Sequence, residues 1–356
     1  MGIYLLNIGL MLIWAYCLKL NVVKGHFHNP RKTFCILAAI QWILISGLRG
    51  IMVGADTLAY KVNRFEVTNQ TSWYRIWKVF TDVVFRGEEG KDPGYPILEK
   101  TFQIFSDNYQ IWLIFIAVLF TVSMSVWIYN HSEDVVMSFL IYSCLFYSFF
   151  AITGHRQTIA TAVVVFICNP LIQKRHFFWF LLITLVMSTI HRSCLVYILY
   201  YFLYNKKITK KYVAAIIISM IIGYIFREQM MNFLGEASGY DSYEVLETAG
   251  AYTFTALILL VFAVSCWRMK SIIRIYPEAV QSYNAFFLAL IFIPLLFVNQ
   301  NIMRVVQYFS LNLMLMVPYI IKSFKKREQF ILNAAIAGIM IFLLVQNNPQ
   351  YMFFWE

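Results

Sequence analysis

Charge is what this sequence has least of. Asp, Glu, Lys and Arg together make up 13% of the 356 residues, about half the share of an ordinary soluble domain. Acids are the scarcer sign, 18 against 29 Lys plus Arg. Proline and glycine form no rich stretch, so no flexible linker, internal repeat or low-complexity segment divides the chain. Cys17, Cys35, Cys144, Cys168, Cys194 and Cys266 stand singly in or beside apolar runs, which fits neither a disulfide framework nor a metal site. A His-Glu-x-x-His helix, a DxD motif and a Gly-rich phosphate loop are all missing, so nucleotide-sugar chemistry on a chelated metal is disfavoured and neither metal nor cofactor is expected. What is abundant is apolar: hydrophobic residues make up 60% of the chain and aromatics 18%. A soluble globule of this size could not hide so much apolar surface. A cytosolic enzyme, a secreted disulfide scaffold and a disordered chain are thereby excluded. The net charge of +11 does not imply nucleic acid, because the basic residues cluster in short segments between apolar runs, as in cytoplasmic loops of membrane proteins.

Apolar runs occur at about 1–20, 33–53, 109–129, 135–153, 157–173, 177–204, 212–227, 251–267, 284–298, 302–321 and 329–346. A crossing needs roughly 20 such residues. The first run lacks a basic leader and an A-x-A-like cleavage site, so it reads as a span. The fold expected is an all-α polytopic integral membrane protein, a single transmembrane domain over 1–356 with about 11–12 transmembrane segments. Lys19, Lys24, Arg31 and Lys32 place the first loop in the cytoplasm and the N-terminus outside. Alternation then puts 54–108 outside. Run 177–204 is long and interrupted by His191-Arg192-Ser193. As one span it would strand Lys206, Lys207, Lys210 and Lys211 outside. Read as a re-entrant or broken helical pair, it returns them to the cytoplasm and every later loop obeys the charge rule. Non-helical backbone at that depth must line a wet cavity. The outer loop 54–108 carries an aromatic stretch, Trp73 to Phe80 with Arg75 and Lys78, expected as a surface-lying amphipathic helix. Glu88, Glu89 and Asp92 read as solvated loop charges. A second outer loop is expected over 227–250.

Ionisable residues beside spans are costly and mark function. On this topology they fall on one side: Arg49 and Asp56, His155 and Arg156, His191 and Arg192, and Arg304, which shares a helix face with Tyr308 at i, i+4. Arginines at span ends also snorkel to lipid phosphates, and Asp56 suits a helix N-cap. As a set, the arginines suit a diphosphate, which planar guanidinium groups grip bidentately. A histidine or carboxylate beside them can take a proton from a sugar hydroxyl. A polyprenyl-diphosphate sugar donor has that headgroup, with a tail that needs a membrane. His191 and Asp56 are the two candidate bases. Arg49, Arg156, Arg192, Arg304, Tyr308 and His155 are the candidate substrate and diphosphate ligands. A lipid-linked oligosaccharide flippase or a membrane acyltransferase would also want polar groups in a cavity. The first should show internal repeats and charge on both sides of the midplane, the second polar cytoplasmic halves, and neither is seen.

Five elements, in order, then resemble one family. Leu48-Arg49-Gly50 with Val53-Gly54-Ala55-Asp56-Thr57 to Tyr60 looks like the "R…GtDt…Y" signature of EpsG-like membrane proteins. Asp92-Pro93-Gly94-Tyr95 with Leu98 resembles the "E-P-x-Y…L" element. His155-Arg156-Gln157-Thr158-Ile159-Ala160 resembles "R-Q-x-I-A", His191-Arg192-Ser193 resembles "H-x-S", and Arg304 with Tyr308 and Pro318 resembles "R…Y…P". Alanine at 55 and aspartate at 92 are mild departures. The family is similar to Wzy-type polymerases. The resemblance implies a C-type glycosyltransferase-like enzyme of the bacterial inner membrane with its active site facing the periplasm. It would join undecaprenyl-diphosphate-linked oligosaccharide, as donor and acceptor, into O-antigen, capsule or exopolysaccharide. Its partners would be membrane lipids and a chain-length regulator, not nucleic acid. In that reading Arg156, Arg192 and Arg304 hold the diphosphate and His191, ahead of Asp56, is the base.

Overall fold

The computed structural model describes residues 1–19, 29–238, 251–347 and 350–356. Among them no strand forms; one antiparallel bridge joins Arg49 to Phe353. Lys24 and residues 239–250 of the second outer loop lie outside the described residues.

The fold is the all-α, polytopic one expected. Among the described residues five helices are long and apolar enough to cross a membrane, or up to seven when two bent pairs each count as one span. The other apolar runs are shorter or interrupted. Run 135–153 becomes a helix followed by two π-helical turns, 142–146 and 148–153. Run 177–204 stops at Ser188 and resumes as a 3-10 turn at Arg192, so it is broken at His191 as anticipated.

The chain divides into two compact units, Met1–Leu195 with Asn333–Glu356, and Val196–Leu332. In the first, α1 (Gly2–Lys19), α2 (Pro30–Gly47), α3 (Thr57–Tyr60), α4 (Glu66–Gln70), α5 (Trp73–Phe85), α6 (Gly94–Gln103), α7 (Tyr109–His131), α8 (Val135–Ile141), α9 (His155–Thr161), α10 (Asn169–Gln173) and α11 (Phe177–Ser188) follow in order. Polar residues start the helices where they should. Asn29 caps α2 by accepting from the Lys32 N–H at 3.0 Å, with Pro30 at the first position; Asn108 caps α7 and Asp134 caps α8. Each cap takes up a donor the first turn leaves unsatisfied. Helix α2 lies along α7, and the buried Trp42 donates to Ser143 Oγ at 3.0 Å.

The loop after α2 folds back as a cap of short helices. Phe65, Tyr95, Tyr109, Trp112, Leu113, Ile116, Ile159 and Ile190 form one buried cluster. It ties the π-helical turn 61–65, α6, α7, α9 and the break after α11 together, which fixes the chemistry-bearing segments against one another. The segment expected to be amphipathic is α5. Ile76 is buried in it, while Tyr74 and Phe85 are 79% and 76% exposed.

In the second unit come α12 (Ile198–Leu203), α13 (Lys210–Ile225), α14 (Arg227–Ser238), α15 (Ala251–Ile275), α16 (Ala279–Phe292), α17 (Met303–Ser310) and α18 (Leu313–Lys322). Helix α19 (Lys326–Gln346) begins here and runs into the first unit. Ten of the 14 residues of α16 are buried. Bends of 82° after α13 and 51° between residues 310 and 313 break two spans.

Candidate functional site

Three π-helical turns surround α9, and each widening of the helix frees carbonyls that side chains must satisfy. The Ala151 carbonyl accepts from Ser46 Oγ at 2.5 Å, Phe150 from Thr158 Oγ1 at 3.1 Å and Ile152 from Thr57 Oγ1 at 3.3 Å. The irregular backbone before Gly154 is therefore locked to α2, α3 and α9. Gly54 makes this possible. Its φ is +96°, and a Cβ there would lie 2.8 Å from the Ile152 carbonyl oxygen, so only glycine fits.

His155 and Arg156, the first residues of α9, face two different networks. Arg49 is buried and its guanidinium donates to the Ser46 carbonyl and to His155 Nε2 at 3.0 Å. A guanidinium only donates, so Nε2 must accept, which makes His155 the neutral tautomer with its proton on Nδ1. The ring stacks on Tyr60 at 4.4 Å. The C-terminal tail closes over Arg49: Gly50 N–H donates to the Met352 carbonyl at 2.8 Å and Phe354 N–H to that of Leu48 at 3.0 Å.

Arg156 donates through Nε to the Tyr60 hydroxyl at 3.0 Å and through Nη1 to Asp92 Oδ2. Asp92 is the centre of the second network. Its side chain is 1% exposed, and Oδ2 lies 3.8 Å from His191 Nδ1. Its Oδ1 accepts from the Arg192 backbone N–H at 3.2 Å. Burial alone would raise the carboxyl, but the His191 imidazole, the Arg156 charge and that N–H outweigh it and hold Asp92 below the ordinary carboxylate value. Its φ of +53° is a left-handed conformation that aspartate tolerates better than most residues. The next loop residues dock on the helix break. Gly94 N–H donates to the Thr189 carbonyl at 2.8 Å, and a Cβ on Gly94 would meet Thr189 Oγ1 at 2.1 Å.

These contacts correct one expectation. Asp92 is a buried, ion-paired group, not a solvated loop charge: the left-handed turn and the Gly94–Thr189 contact carry it inward. Arg49 is paired with His155. Asp56 sits half-buried at the N-cap position of α3, where its side chain makes no capping bond. His191 is buried beside Asp92, while Arg192 contributes its backbone N–H and its side chain is exposed. In the second unit Arg304 is half-buried in the first turn of α17, and Tyr308 is fully buried, its ring 6.4 Å from that of Tyr197. Asp92 is the residue that sequence reasoning passed over. The signal was there: it is the acid of the Asp-Pro-Gly-Tyr element.

The five sequence elements thus fall on organised structure, four of them packed together in the first unit. The profile of the EpsG family matches residues 32–353, nearly the whole chain. The chain belongs to the EpsG family. Comparisons with curated proteins and with solved structures return no match. Membership of the EpsG family makes this a polysaccharide polymerase-type, multi-pass membrane protein, glycosyltransferase-like in general kind. In EpsG terms the "E-P" element supplies the buried acid, the "R-Q" element its arginine and the "H-x-S" element the imidazole next to it.

Proposed function

We propose that the protein is a polymerase of lipid-linked glycan at the periplasmic face of the bacterial inner membrane. It transfers an undecaprenyl-diphosphate-linked glycan onto a second lipid-linked repeat unit. The observation that carries this is the buried Asp92, held between Arg156 and His191 in a chain of the EpsG family. With Nδ1 turned to Asp92, His191 keeps Nε2 as the proton acceptor. The acceptor hydroxyl gives its proton to Nε2 while its oxygen bonds to the anomeric carbon of the donor. The bond from that carbon to the diphosphate oxygen breaks, and the electron pair leaves with the undecaprenyl diphosphate. Asp92 orients the imidazole and stabilises the imidazolium, as the carboxylate does in a Ser-His-Asp triad. The leaving group is stable as an anion, so acid assistance is not needed. Its growing charge is met by arginine: the exposed Arg192 side chain and the part of the Arg156 guanidinium not engaged by Asp92 and Tyr60. His155 and Arg49 are positioning groups that hold α9 to α2. Asp56 is the alternative base; its half-buried carboxylate has no partner among the described residues to orient it. Arg304 and Tyr308 remain proposed substrate contacts of the second unit. The glycan made is O-antigen, capsule or exopolysaccharide, and a chain-length regulator is a proposed partner.

The test is the lipid-linked glycan profile of a deletion strain. Single repeat units on the lipid carrier at the periplasmic face, with no long chains, are expected. Repeat units trapped at the cytoplasmic face would make the protein a flippase.

A further inference from the structure

The short helices of the cap border a half-open cavity of about 140 Å3, lined by Asn63, Arg64, Thr71, Arg75, Ile76 and Pro93 among others. That is room for a few waters or for one small substituent of a sugar. Two arginines face it, and neither is ion-paired to a carboxylate among the described residues. Arg64 comes from the π-helical turn 61–65. Arg75 sits in the first turn of α5, whose cap Ser72 accepts its backbone N–H at 3.4 Å. Arg64 is half-buried and Arg75 exposed, and two positive charges beside one pocket favour a negatively charged occupant.

Glu99 is fully buried, and its Oε2 accepts from Thr68 Oγ1 at 3.0 Å; Thr68 also lines the cavity. Burial lifts this carboxyl to about 7, so around neutral pH much of it is uncharged and does not fill the role of counter-ion. The cavity reaches Pro93, next in the chain to Asp92. That places it beside the residue proposed to take part in transfer, which favours a group carried on the glycan over a lipid headgroup.

We infer that this cavity is a glycan subsite for an acidic substituent, a sugar carboxylate or phosphate gripped by Arg64 and Arg75. The inference rests on the polymerase reading and names a class of repeat unit, acidic ones, that the enzyme selects. Asn63 and Thr71 border the same space and offer neutral hydrogen-bonding groups to the ring hydroxyls.

The experiment is equilibrium dialysis on the full-length protein in an uncharged detergent. The probes are trigalacturonic acid, maltotriose as its neutral counterpart, inorganic phosphate, and phosphatidylglycerol in mixed micelles. Trigalacturonic acid should bind the wild type and bind the Arg64→Gln, Arg75→Gln double variant at least tenfold more weakly. The Arg64→Lys, Arg75→Lys variant, which keeps the charge, should lie between, and maltotriose should not discriminate. Phosphate should compete with trigalacturonic acid. Equal binding of acidic and neutral trisaccharide, or equal binding by wild type and double glutamine variant, overturns the subsite. Displacement by phosphatidylglycerol and not by phosphate also overturns it and makes the cavity a lipid site. Arg156→Gln, which disables the proposed chemistry, should still bind trigalacturonic acid. If that variant polymerises normally while the probe binds, the polymerase mechanism fails and the subsite stands.

Discussion

The two units of the chain differ in what they bury. The first hides a carboxylate, an arginine and two histidines in its interior: Asp92, Arg49, His155 and His191 are each at most 5% exposed. The second buries amides and hydroxyls among aliphatic and aromatic side chains. Asn284 and Asn312 are among its inner polar groups, and both reach backbone: Asn284 Nδ2 donates to the Lys206 carbonyl at 2.9 Å and Asn312 Nδ2 to that of Phe309 at 3.3 Å. Its arginine at 268 satisfies the Ser323 carbonyl and lies over the Phe324 ring at 4.4 Å. Burying an amide costs little once it is bonded, whereas burying charge costs several kcal/mol even when it is paired. The second unit is what a helix packing in lipid requires. The first carries an expense that packing alone does not explain, and the proposed chemistry is the explanation.

The comparison breaks most visibly at Arg156. Arg156→Gln removes the counter-charge of Asp92 and, on the proposed mechanism, a contact to the leaving diphosphate. A lost charge-assisted contact in the transition state costs about 2–4 kcal/mol, on the order of a hundredfold or more in rate. Arg156→Lys should recover little, because lysine has no fork to hold Tyr60 and Asp92 together. Chain-length distribution on a gel, at matched protein in the membrane, reads this. Near-normal polymer from the lysine variant would mean that the side chain merely fills space.

His191→Gln comes next. Loss of a general base lowers the rate by roughly 100-fold to 10,000-fold, so only short chains should appear, while Asp56→Asn should retain long ones. Long chains from His191→Gln with none from Asp56→Asn would exchange the two roles.

Arg304→Ala probes the other unit. An outright loss of one phosphate contact predicts up to about a hundredfold, and Tyr308→Phe, which removes only a hydroxyl from a buried ring, should cost far less. Should Arg304→Ala prove more damaging than Arg156→Gln, the charge asymmetry between units would not locate the chemistry.

The smallest effect is on stability. Glu99 has its carboxyl lifted by burial to about 7, against 4.5 ordinarily. The folded state therefore holds this proton more tightly than the unfolded chain, and stability falls as pH rises from about 4.5 through about 7, then levels off. Glu99→Gln should flatten that part of the curve and raise the melting temperature most above pH 7. Melting curves between pH 5 and 8 check it; a wild-type slope unchanged in the variant would contradict it.

Much of this molecule is legible in its sequence. Long apolar runs dictate helices in lipid, and the polar triplet at His191 dictates a break, because no helix crosses lipid with those groups unsatisfied. What is not legible is where tertiary contacts decide. The π-helical turns at 148–153 exist because Ser46, Thr57 and Thr158 reach their carbonyls, a fact no periodicity encodes. Asp92 follows Glu88 and Glu89 in a polar stretch and looks solvated on pattern alone. Only the left-handed turn and the close approach of Gly94 to Thr189 bring it under Arg156. The cap's cavity is likewise a product of three helices meeting.

The central claim is that Asp92 acts with Arg156 and His191 in glycan transfer. The most direct measurement is the polymer made by Asp92→Asn and by the Asp92→Asn, Arg156→Gln double variant, which removes both charges and leaves none buried unpaired. With equal amounts of folded protein in the membrane, both should accumulate single lipid-linked repeat units and no ladder. A normal ladder from the double variant would show that the pair is structural and that the chemistry lies elsewhere.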